Sequence, residues 1–289
     1  MLGSTAFFAL MAITIRLASE TLPTYEIAFF RNFFGLIALL PVLRHSWPGV
    51  LKTQQLPRYL LRSTIGVVSM LCGFWAIGHL PLAQAISLSY STPLFVTIAA
   101  VLFLHEKVRL RRWSAVTIGF LGVLVIVRPG SDSFTLGSLV AISAAVLSGI
   151  VAIQIKQLSR VDSADTIVLY TYLFWVPLSL VPALFVWQWP QGIAWLWAVG
   201  AGVLGTGGQL LWTRALKLGD VSALTPISFM QLPIVAFAGW LLFGEDPSRW
   251  TVLGAAIIFA ANAYIAHREA QLARRAATNA PVEAAKPGE

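Results

Sequence analysis

Long apolar stretches separated by short polar segments run along almost the whole chain. A bilayer core of about 30 Å needs about 20 helical residues at 1.5 Å each, and ten stretches approach that length. They are residues 2–19, 25–43, 58–79, 82–104, 112–128, 135–157, 166–187, 191–213, 220–243 and 250–267. Apolar and polar residues do not alternate with the period of two that a membrane β-barrel requires. The pattern predicts an all-α integral membrane protein with ten transmembrane helices.

The composition agrees with this class of protein. Hydrophobic residues make up 57% of the chain and charged residues 11%, whereas soluble domains carry about 25% charged residues. The composition therefore disfavours a water-soluble enzyme, a disordered protein and a secreted disulfide scaffold. Residues 268–289 are rich in Ala, Arg, Glu and Lys and have little to bury, so we predict a disordered tail there.

The basic residues predict the orientation of the chain. Its net charge of +8 could indicate nucleic-acid binding. Ten spans, however, place both termini on one side of the membrane, with 16 of the 20 Lys and Arg residues. Basic loops face the cytoplasm in membrane proteins. We therefore expect both termini to be cytoplasmic, and no nucleic-acid partner is needed to explain the charge.

Landmark residues recur in the two halves of the chain. Ala76 and Glu106 are 30 residues apart in the first half, as are Ala215 and Glu245 in the second, and the two sets are 139 positions apart. Proline residues and a Leu- and Phe-rich segment lie between the landmarks in both halves. The sequence therefore predicts two five-helix repeats.

An odd number of helices per repeat reverses the direction in which the second repeat enters the membrane. We accordingly predict inverted repeats at residues 1–130 and 131–267, followed by the tail at 268–289. Inverted repeats suit alternating access, in which a central site opens to either side in turn. A duplication retained only for packing is the alternative.

Segments around these landmarks resemble the EamA repeat of the drug/metabolite transporter superfamily. They are residues 76–85, 91–95 and 103–107 in the first half and 214–220, 232–233 and 242–245 in the second. The chain looks most similar to the YddG-type amino-acid exporters. The resemblance implies a secondary transporter that exports small metabolites, with amino acids expected, across the bacterial inner membrane. It implies a small-molecule substrate and lipid neighbours. The sequence shows no cluster of metal-binding residues, and we expect no cofactor, metal or obligate protein partner.

Polar side chains within the spans indicate where the substrate path lies, because unpaired polar groups are costly in hydrocarbon and usually face the bundle interior. The candidate substrate-binding residues are Trp75, His79, Ser89, Tyr90, Thr92, Gln209, Trp212, Ser228 and Gln231. Helix breaks are predicted at Pro93, Pro226 and Pro233, since proline removes a backbone donor. We expect a central cavity lined by spans three, four, eight and nine, with contributions from one and six.

Each candidate also has a purely structural interpretation. Hydroxyl groups beside the prolines can bond to their own helices. Trp75 and His79 can pack at the membrane interface, near the end of their span.

Four charged residues are candidates for a gate or an ion pair: Arg16, Glu26, Arg31 and Lys156. Arg16 and Lys156 lie near span ends at related positions, so snorkelling to the lipid headgroups is the alternative for them. Glu26 lies five residues before Arg31 and is a possible partner through helix packing.

The mechanism expected from the sequence is transport without strong ion coupling. No carboxylate lies in the middle of a predicted span, where ion-driven transporters commonly carry one. The phosphate-binding sequence GxxxxGK[ST] is absent, so the chain is not expected to hydrolyse ATP.

Three other functions remain open. One is a proton-coupled exporter of drugs or other metabolites, in which His79 would be the simplest proton carrier. Another is a structural or receptor-like membrane protein, which would not need the duplicated, proline-broken helices. The third is an intramembrane enzyme. It is disfavoured because all four histidines fall near span ends and no catalytic residue is evident.

Overall fold

A computed structural model of the protein describes residues 2–44, 49–104, 110–128, 130, 135–158, 161–218 and 230–278. These residues form eleven α-helices and a short 3₁₀ helix, Gly49–Leu51. The helices are α1 (Leu2–Ala18), α2 (Thr24–Leu43), α3 (Leu56–His79), α4 (Leu82–Ser89), α5 (Thr92–Leu104), α6 (Leu110–Val127), α7 (Leu136–Leu158), α8 (Ala164–Leu184), α9 (Ala194–Leu218), α10 (Gln231–Phe243) and α11 (Arg249–Thr278). The described part of the chain contains no strand, which confirms the all-α class.

Several helices have the length and apolar character of membrane spans. Four stretches meet both criteria: Leu56–His79, Leu82–Ala99, Leu136–Ile155 and Asp165–Leu184. Three shorter apolar helices accompany them: Leu2–Ala18, Trp113–Val127 and Gln231–Phe243. The chain is therefore built as a multi-pass membrane protein.

The fourth predicted span, residues 82–104, consists of two helices that meet at Tyr90 and Ser91. Pro93 is the second residue of α5. In the first turn of a helix the missing N–H of proline costs no intrahelical bond within that helix. The break therefore precedes the proline and divides one span into α4 and α5.

The last helix differs from the prediction. α11 continues to Thr278 instead of ending at residue 267. The extension is rich in Ala, Arg, Glu and Gln, which are strong helix formers. The predicted disordered tail at 268–289 is thus helical up to Thr278, and residues 279–289 lie outside the described part.

The boundaries of the helices repeat with the same interval as the landmark residues. α5 and α10 each have 13 residues, and both ends of α10 lie 139 positions after the corresponding ends of α5. α9 ends 139 positions after α3, and α11 begins 139 positions after α6. The two halves of the chain therefore follow the same plan of helices.

The helices of the two halves pack against each other in equivalent pairs. α1 packs along α9, and α3 packs along α7, which is the same pairing with the halves exchanged. α2 contacts α8, and α6 contacts α11, so each of these helices meets its own counterpart. One cluster of buried apolar residues combines helices of both halves, and a smaller cluster of Leu94, Ala115 and Val116 lies within the first half.

The contact between α6 and α11 depends on two glycines. A Cβ on Gly122 would lie 2.9 Å from the carbonyl oxygen of Gly254, and a Cβ on Gly254 would lie 2.6 Å from the carbonyl oxygen of Gly122. The two backbones therefore touch directly. Such close approach is the usual role of small residues between membrane helices.

We expect Gly254→Ala to destabilise the protein, because the added methyl group forces α6 and α11 apart. Overpacking of this kind costs about 1–3 kcal/mol. The midpoint of thermal unfolding in detergent should fall by several degrees. Gly49→Ala is the control, since a Cβ at Gly49 meets nothing within 4 Å. Equal midpoints for the two variants would contradict the close crossing.

Candidate functional site

A cavity of about 310 Å³ lies between α3, the α4–α5 break, α7 and α8. This is within the size range of small-molecule sites. Its polar lining consists of Ser69, Ser89, Thr92, Ser148 and Trp175. Met70, Phe74 and small apolar residues supply the rest, and no charged side chain is among the described residues that line it. We call this space the central cavity.

The break between α4 and α5 forms one wall of the central cavity, and its backbone groups have specific partners. Proline at position 93 cannot donate to the Ser89 carbonyl, which accepts a bond of 2.8 Å from the Thr92 hydroxyl instead. The amide of Leu94 donates to the Ser91 carbonyl at 2.9 Å, one residue nearer than in a regular α-helix. The hydroxyls beside the proline thus bond within their own span, as in the structural interpretation of these residues.

The Tyr90 carbonyl, released by the break, is bonded by a residue that the sequence did not single out. The side-chain amide of Asn262 on α11 donates to it at 2.9 Å. The Tyr90 hydroxyl in turn donates to Oε1 of Gln231, the first residue of α10, at 3.2 Å. The break in the first half is therefore held by the last two helices of the second half, and two predicted site residues are in direct contact.

Trp75 and His79 form a stacked pair at the end of α3. Their ring centroids are 3.9 Å apart, and His79 Nδ1 lies 2.9 Å from the Trp75 carbonyl oxygen. His79 is exposed and Trp75 half-buried. Neither is among the residues that line the central cavity.

The candidates on spans eight and nine lie elsewhere. Gln209 and Trp212 are half-buried on α9 and do not line the central cavity. Pro233, in the first turn of α10, borders a separate apolar cavity of about 450 Å³ between α4, α10 and α11. Ser228 and Pro226 lie outside the described residues.

The expected walls were spans three, four, eight and nine with contributions from one and six, and spans three, four and six of this set line the described cavity. The observed walls are spans three, four, six and seven. Glycines of span eight pack directly against α1 and α2, and residues 219–229 lie outside the described part, so a contribution of spans eight and nine to the substrate path stays a prediction. A Cβ at Gly202 would lie 2.7 Å from Phe34, and one at Gly205 would lie 2.9 Å from Met11.

Arg16 is one partner of an ion pair that joins four helix ends. Its Nη2 lies 2.8 Å from Glu245 Oε1, and its Nη1 donates to the carbonyls of Ile77 at 2.8 Å and Leu80 at 3.3 Å. Glu245 Oε2 accepts the backbone N–H of Leu82 at 2.7 Å. We call this group of contacts the latch. It ties the ends of α1, α3 and α10 to the start of α4.

The charges of the latch are opposite in sign to the partial charges of the helix ends that they contact. Arginine donates to the last carbonyls of α3, where the helix dipole is negative, and Glu245 accepts from the first turn of α4, where it is positive. Gly244, in the left-handed conformation with φ of 64°, ends α10 and turns the chain towards α1.

Glu26 and Arg31 have different partners. Glu26 is fully buried and accepts the backbone N–H of Gln188. Arg31 is 7% exposed, donates to Asn32 at 2.9 Å and lies over the rings of Tyr172 and Trp175, both at 5.6 Å. The possible pairing of these two residues is therefore not formed. The side chain of Lys156 lies outside the described ones.

Trp175 lines the central cavity but was not among the site residues predicted from the sequence. It lies near the middle of span seven, whereas tryptophans of membrane proteins are concentrated at the interfaces. A mid-span tryptophan two residues before Pro177 was the available signal. No described side chain or backbone group accepts a hydrogen bond from its indole N–H.

The family comparison decides the class of the protein. The model of the EamA-like transporter family matches residues 1–128 and 135–266. The chain belongs to the EamA-like transporter family. The resemblance seen in the duplicated segments is thereby confirmed.

Several curated bacterial relatives of this EamA-family chain are similar over most of their length. A riboflavin transporter of Vibrio cholerae is 36% identical, covering 88% of this chain and 86% of that protein. An S-adenosylmethionine uptake transporter of Rickettsia felis is 31% identical, covering 86% and 84%. A pseudopaline exporter of Pseudomonas aeruginosa is also 31% identical, covering 88% and 90%. The family and the apolar helices together describe a multi-pass bacterial membrane protein.

A comparison with solved structures supports the fold. One protein chain of known crystal structure superposes on this chain with a TM-score of 0.64 at 20% sequence identity. The superposition covers 95% of this chain and 96% of the other. At this identity the likeness concerns the fold alone.

The bond between Tyr90 and Gln231 predicts that the two side chains act as a unit. Tyr90→Phe and Gln231→Leu should each lower the unfolding free energy, by about 0.5–1.5 kcal/mol for one hydrogen bond. In a double-mutant cycle, the double variant should be destabilised by less than the sum of the single variants. Thermal unfolding in detergent measures this, and additive effects would show that the hydrogen bond contributes nothing.

Proposed function

We propose that this EamA-family protein is a secondary transporter that carries a small, uncharged, hydroxyl-bearing metabolite through the central cavity. Family membership and the named relatives support transport of small metabolites in general. The observation that carries the narrower proposal is the lining of the cavity. It combines four hydroxyls with Phe74 and Trp175 and has no charged side chain among its described residues.

The same lining gives no support to amino-acid export. A zwitterion that leaves water carries two full charges, and each needs an opposite charge or several hydrogen bonds. The buried cations Arg31 and Arg62 are not among the described lining residues: Arg31 packs on the rings of Tyr172 and Trp175, and Arg62 donates to the Thr171 hydroxyl. The described cavity therefore lacks a partner for both the carboxylate and the ammonium group.

Riboflavin is the representative substrate that we propose. It is uncharged at neutral pH, with a planar ring system that bears carbonyl groups and a chain of hydroxyls. Aromatic and hydroxyl side chains complement such a molecule. The relative with 36% identity is named for this substrate, whereas S-adenosylmethionine carries a sulfonium charge for which the lining offers no partner.

We further propose that the two halves are inverted repeats that work by alternating access in the inner membrane, with both termini cytoplasmic. The equal helix intervals of 139 positions and the exchanged pairs α1–α9 and α3–α7 support this arrangement. In the predicted orientation the latch closes the outer end of the transport path. Because α1, α3 and α4 belong to the first half and α10 to the second, opening that end separates the halves at the latch.

We propose transport without strong ion coupling, so the substrate gradient sets the direction. No carboxylate lines the central cavity in the described part of the chain. Glu26 is buried at the start of α2, bonded to the backbone of Gln188, and does not line the cavity. The relatives include one protein named for uptake and one named for export.

Purified protein in liposomes should release trapped riboflavin without any ion gradient, faster than liposomes without protein. The flux should saturate with concentration, and leucine flux should stay at the protein-free level. Fluorescence reports riboflavin and a radiolabel reports leucine. Leucine flux without riboflavin flux would reject the proposed substrate class.

Coupling is tested in the same liposomes. Imposing a pH gradient should not produce accumulation of riboflavin. Accumulation that persists in His79→Gln would instead show proton coupling through another group, with Glu26 the first residue to examine.

The latch predicts how the outer end opens. Glu245→Gln removes the charge that holds Arg16, and losing a charged hydrogen bond costs about 1.5–3 kcal/mol, equivalent to about tenfold or more in an equilibrium. A cysteine at Ser148, in a Cys72→Ser background, should then react about tenfold faster with an impermeant maleimide added outside. Glu20→Gln is the matched control, because Glu20 is exposed near the same end.

Exchanging the two latch charges sharpens this test. Arg16→Glu with Glu245→Arg should not restore slow labelling. Arginine at position 245 cannot accept the N–H of Leu82, and glutamate at position 16 cannot donate to the carbonyls of Ile77 and Leu80. Full rescue by the exchange would show that charge attraction alone closes this end.

A further inference from the structure

The polar side chains that line the central cavity differ in whether their N–H or O–H group already donates a hydrogen bond within the protein. A hydroxyl has one proton to donate and two lone pairs with which to accept. Ser89 donates to the Ala85 carbonyl at 3.0 Å, and Thr92 donates to the Ser89 carbonyl at 2.8 Å. These two hydroxyls have no proton left for a ligand, but their oxygens can still accept.

The hydroxyl protons of Ser69 and Ser148, on the opposite wall, are also donated to protein groups. Ser69 Oγ donates to the Ala144 carbonyl at 2.8 Å. The 2.8 Å contact between Ser69 Oγ and Ser148 Oγ must then use the proton of Ser148. All four hydroxyls of the cavity therefore donate within the protein.

The indole N–H of Trp175 is the exception among the described cavity residues. Its Nε1 is buried and meets no acceptor in the described part of the chain. Buried polar groups are nearly always hydrogen-bonded, so a buried donor without an acceptor calls for an explanation. The ring itself lines the cavity, where a ligand would be the neighbour.

Two described residues pack on the Trp175 ring. The Arg31 guanidinium lies 5.6 Å from the ring centroid, within the range of a cation–π contact. The edge that carries Nε1 packs over Gly66, where a Cβ would lie 3.1 Å from Nε1 and 2.9 Å from Cζ2. Only glycine at position 66 accommodates the ring in this position without displacing it.

We propose that the indole N–H of Trp175 is the hydrogen-bond donor by which the transporter recognises its substrate. Its partner is an acceptor such as a ring carbonyl or ring nitrogen. The Nε1 edge faces Gly66, which itself lines the cavity, and a rotation of the ring away from Gly66 is the movement by which the N–H meets the substrate. This inference rests on the proposed function and assigns one determinant of its specificity.

The donors and acceptors that the cavity offers determine which polar groups a substrate should carry. The hydroxyl oxygens of the cavity accept, so they suit substrate hydroxyl groups, which donate. Trp175 donates, so it suits the carbonyl or nitrogen of a heteroaromatic ring. A molecule without a ring acceptor would leave the Trp175 donor unpaired.

The test is the affinity for riboflavin of the purified full chain in detergent, followed by quenching of the flavin fluorescence. Trp175→Phe keeps an aromatic ring and removes the N–H. Its dissociation constant should rise about tenfold, the loss expected when a buried acceptor is left unpaired. Trp197→Phe is the matched control, because Trp197 is half-buried in the core around α9 and does not line the cavity.

A second variant separates the N–H from the shape of the ring. Benzothienylalanine at position 175 replaces the N–H by sulfur in a ring of almost the same shape, so it reports on the hydrogen bond even if Trp175→Phe is poorly folded. It should weaken riboflavin binding to the same extent. Competition by ribitol, which has the hydroxyl chain but no ring, should be the same in all variants.

The outcomes separate the inference from the function on which it rests. Unchanged riboflavin affinity in the benzothienylalanine variant would overturn the role of Trp175 and leave the proposed function standing. Absence of both binding and transport of riboflavin by the wild-type protein would overturn the proposed substrate class and this inference with it. A tenfold loss in both position-175 variants, with none in Trp197→Phe, supports the inference.

Discussion

Backbone hydrogen bonding inside hydrocarbon is the constraint on which the rest of this structure depends. No water is present at that depth to bond a free carbonyl or N–H, so an interrupted helix survives only where protein groups replace the lost bonds. The break at Tyr90 shows how this is done. The Thr92 hydroxyl bonds the Ser89 carbonyl, and Asn262 from another helix bonds the Tyr90 carbonyl. The break that shapes the central cavity therefore exists only because α11 and α5 supply these donors.

Close packing of small residues determines where the cavity can lie. Gly202 and Gly205 bring α9 into direct contact with α1 and α2, and Gly122 with Gly254 does the same for α6 and α11. Space remains where α3, α7 and α8 surround the α4–α5 break. These tight contacts limit where a cavity can form, and the four glycines that make them do not line the central cavity.

Most of the fold could be predicted from the sequence, because hydropathy and residue spacing report directly on membrane spans. Most predicted span limits fall within a few residues of the observed helices, and the interval of 139 positions between landmarks recurs in the helix ends. The helical extension to Thr278 was missed because a polar composition was interpreted as disorder, although its residues are strong helix formers.

The contacts of the candidate site were harder to predict from the sequence. Tyr90 and Gln231 were both identified, but their contact joins residues 141 positions apart, and the latch joins Arg16 to Glu245 over 229 positions. Periodicity within one helix contains no information about such partners. Asn262 gave no signal beyond being a polar residue in an apolar span, and Trp175 gave only its unusual depth.

The uncharged lining of the central cavity bears on how such a carrier returns empty. A transporter that follows a substrate gradient must change its open side both with and without substrate. A charged binding site would remain unpaired in the empty carrier, and a buried unpaired charge is very costly. Here the four hydroxyls bond within the protein, and no charged side chain is among the described lining residues. The empty state therefore leaves the Trp175 N–H as the unpaired donor among those residues. Leaving one neutral donor unpaired costs far less free energy than leaving a charge unpaired. The empty carrier is therefore still able to change its open side, and a substrate that supplies an acceptor binds more tightly.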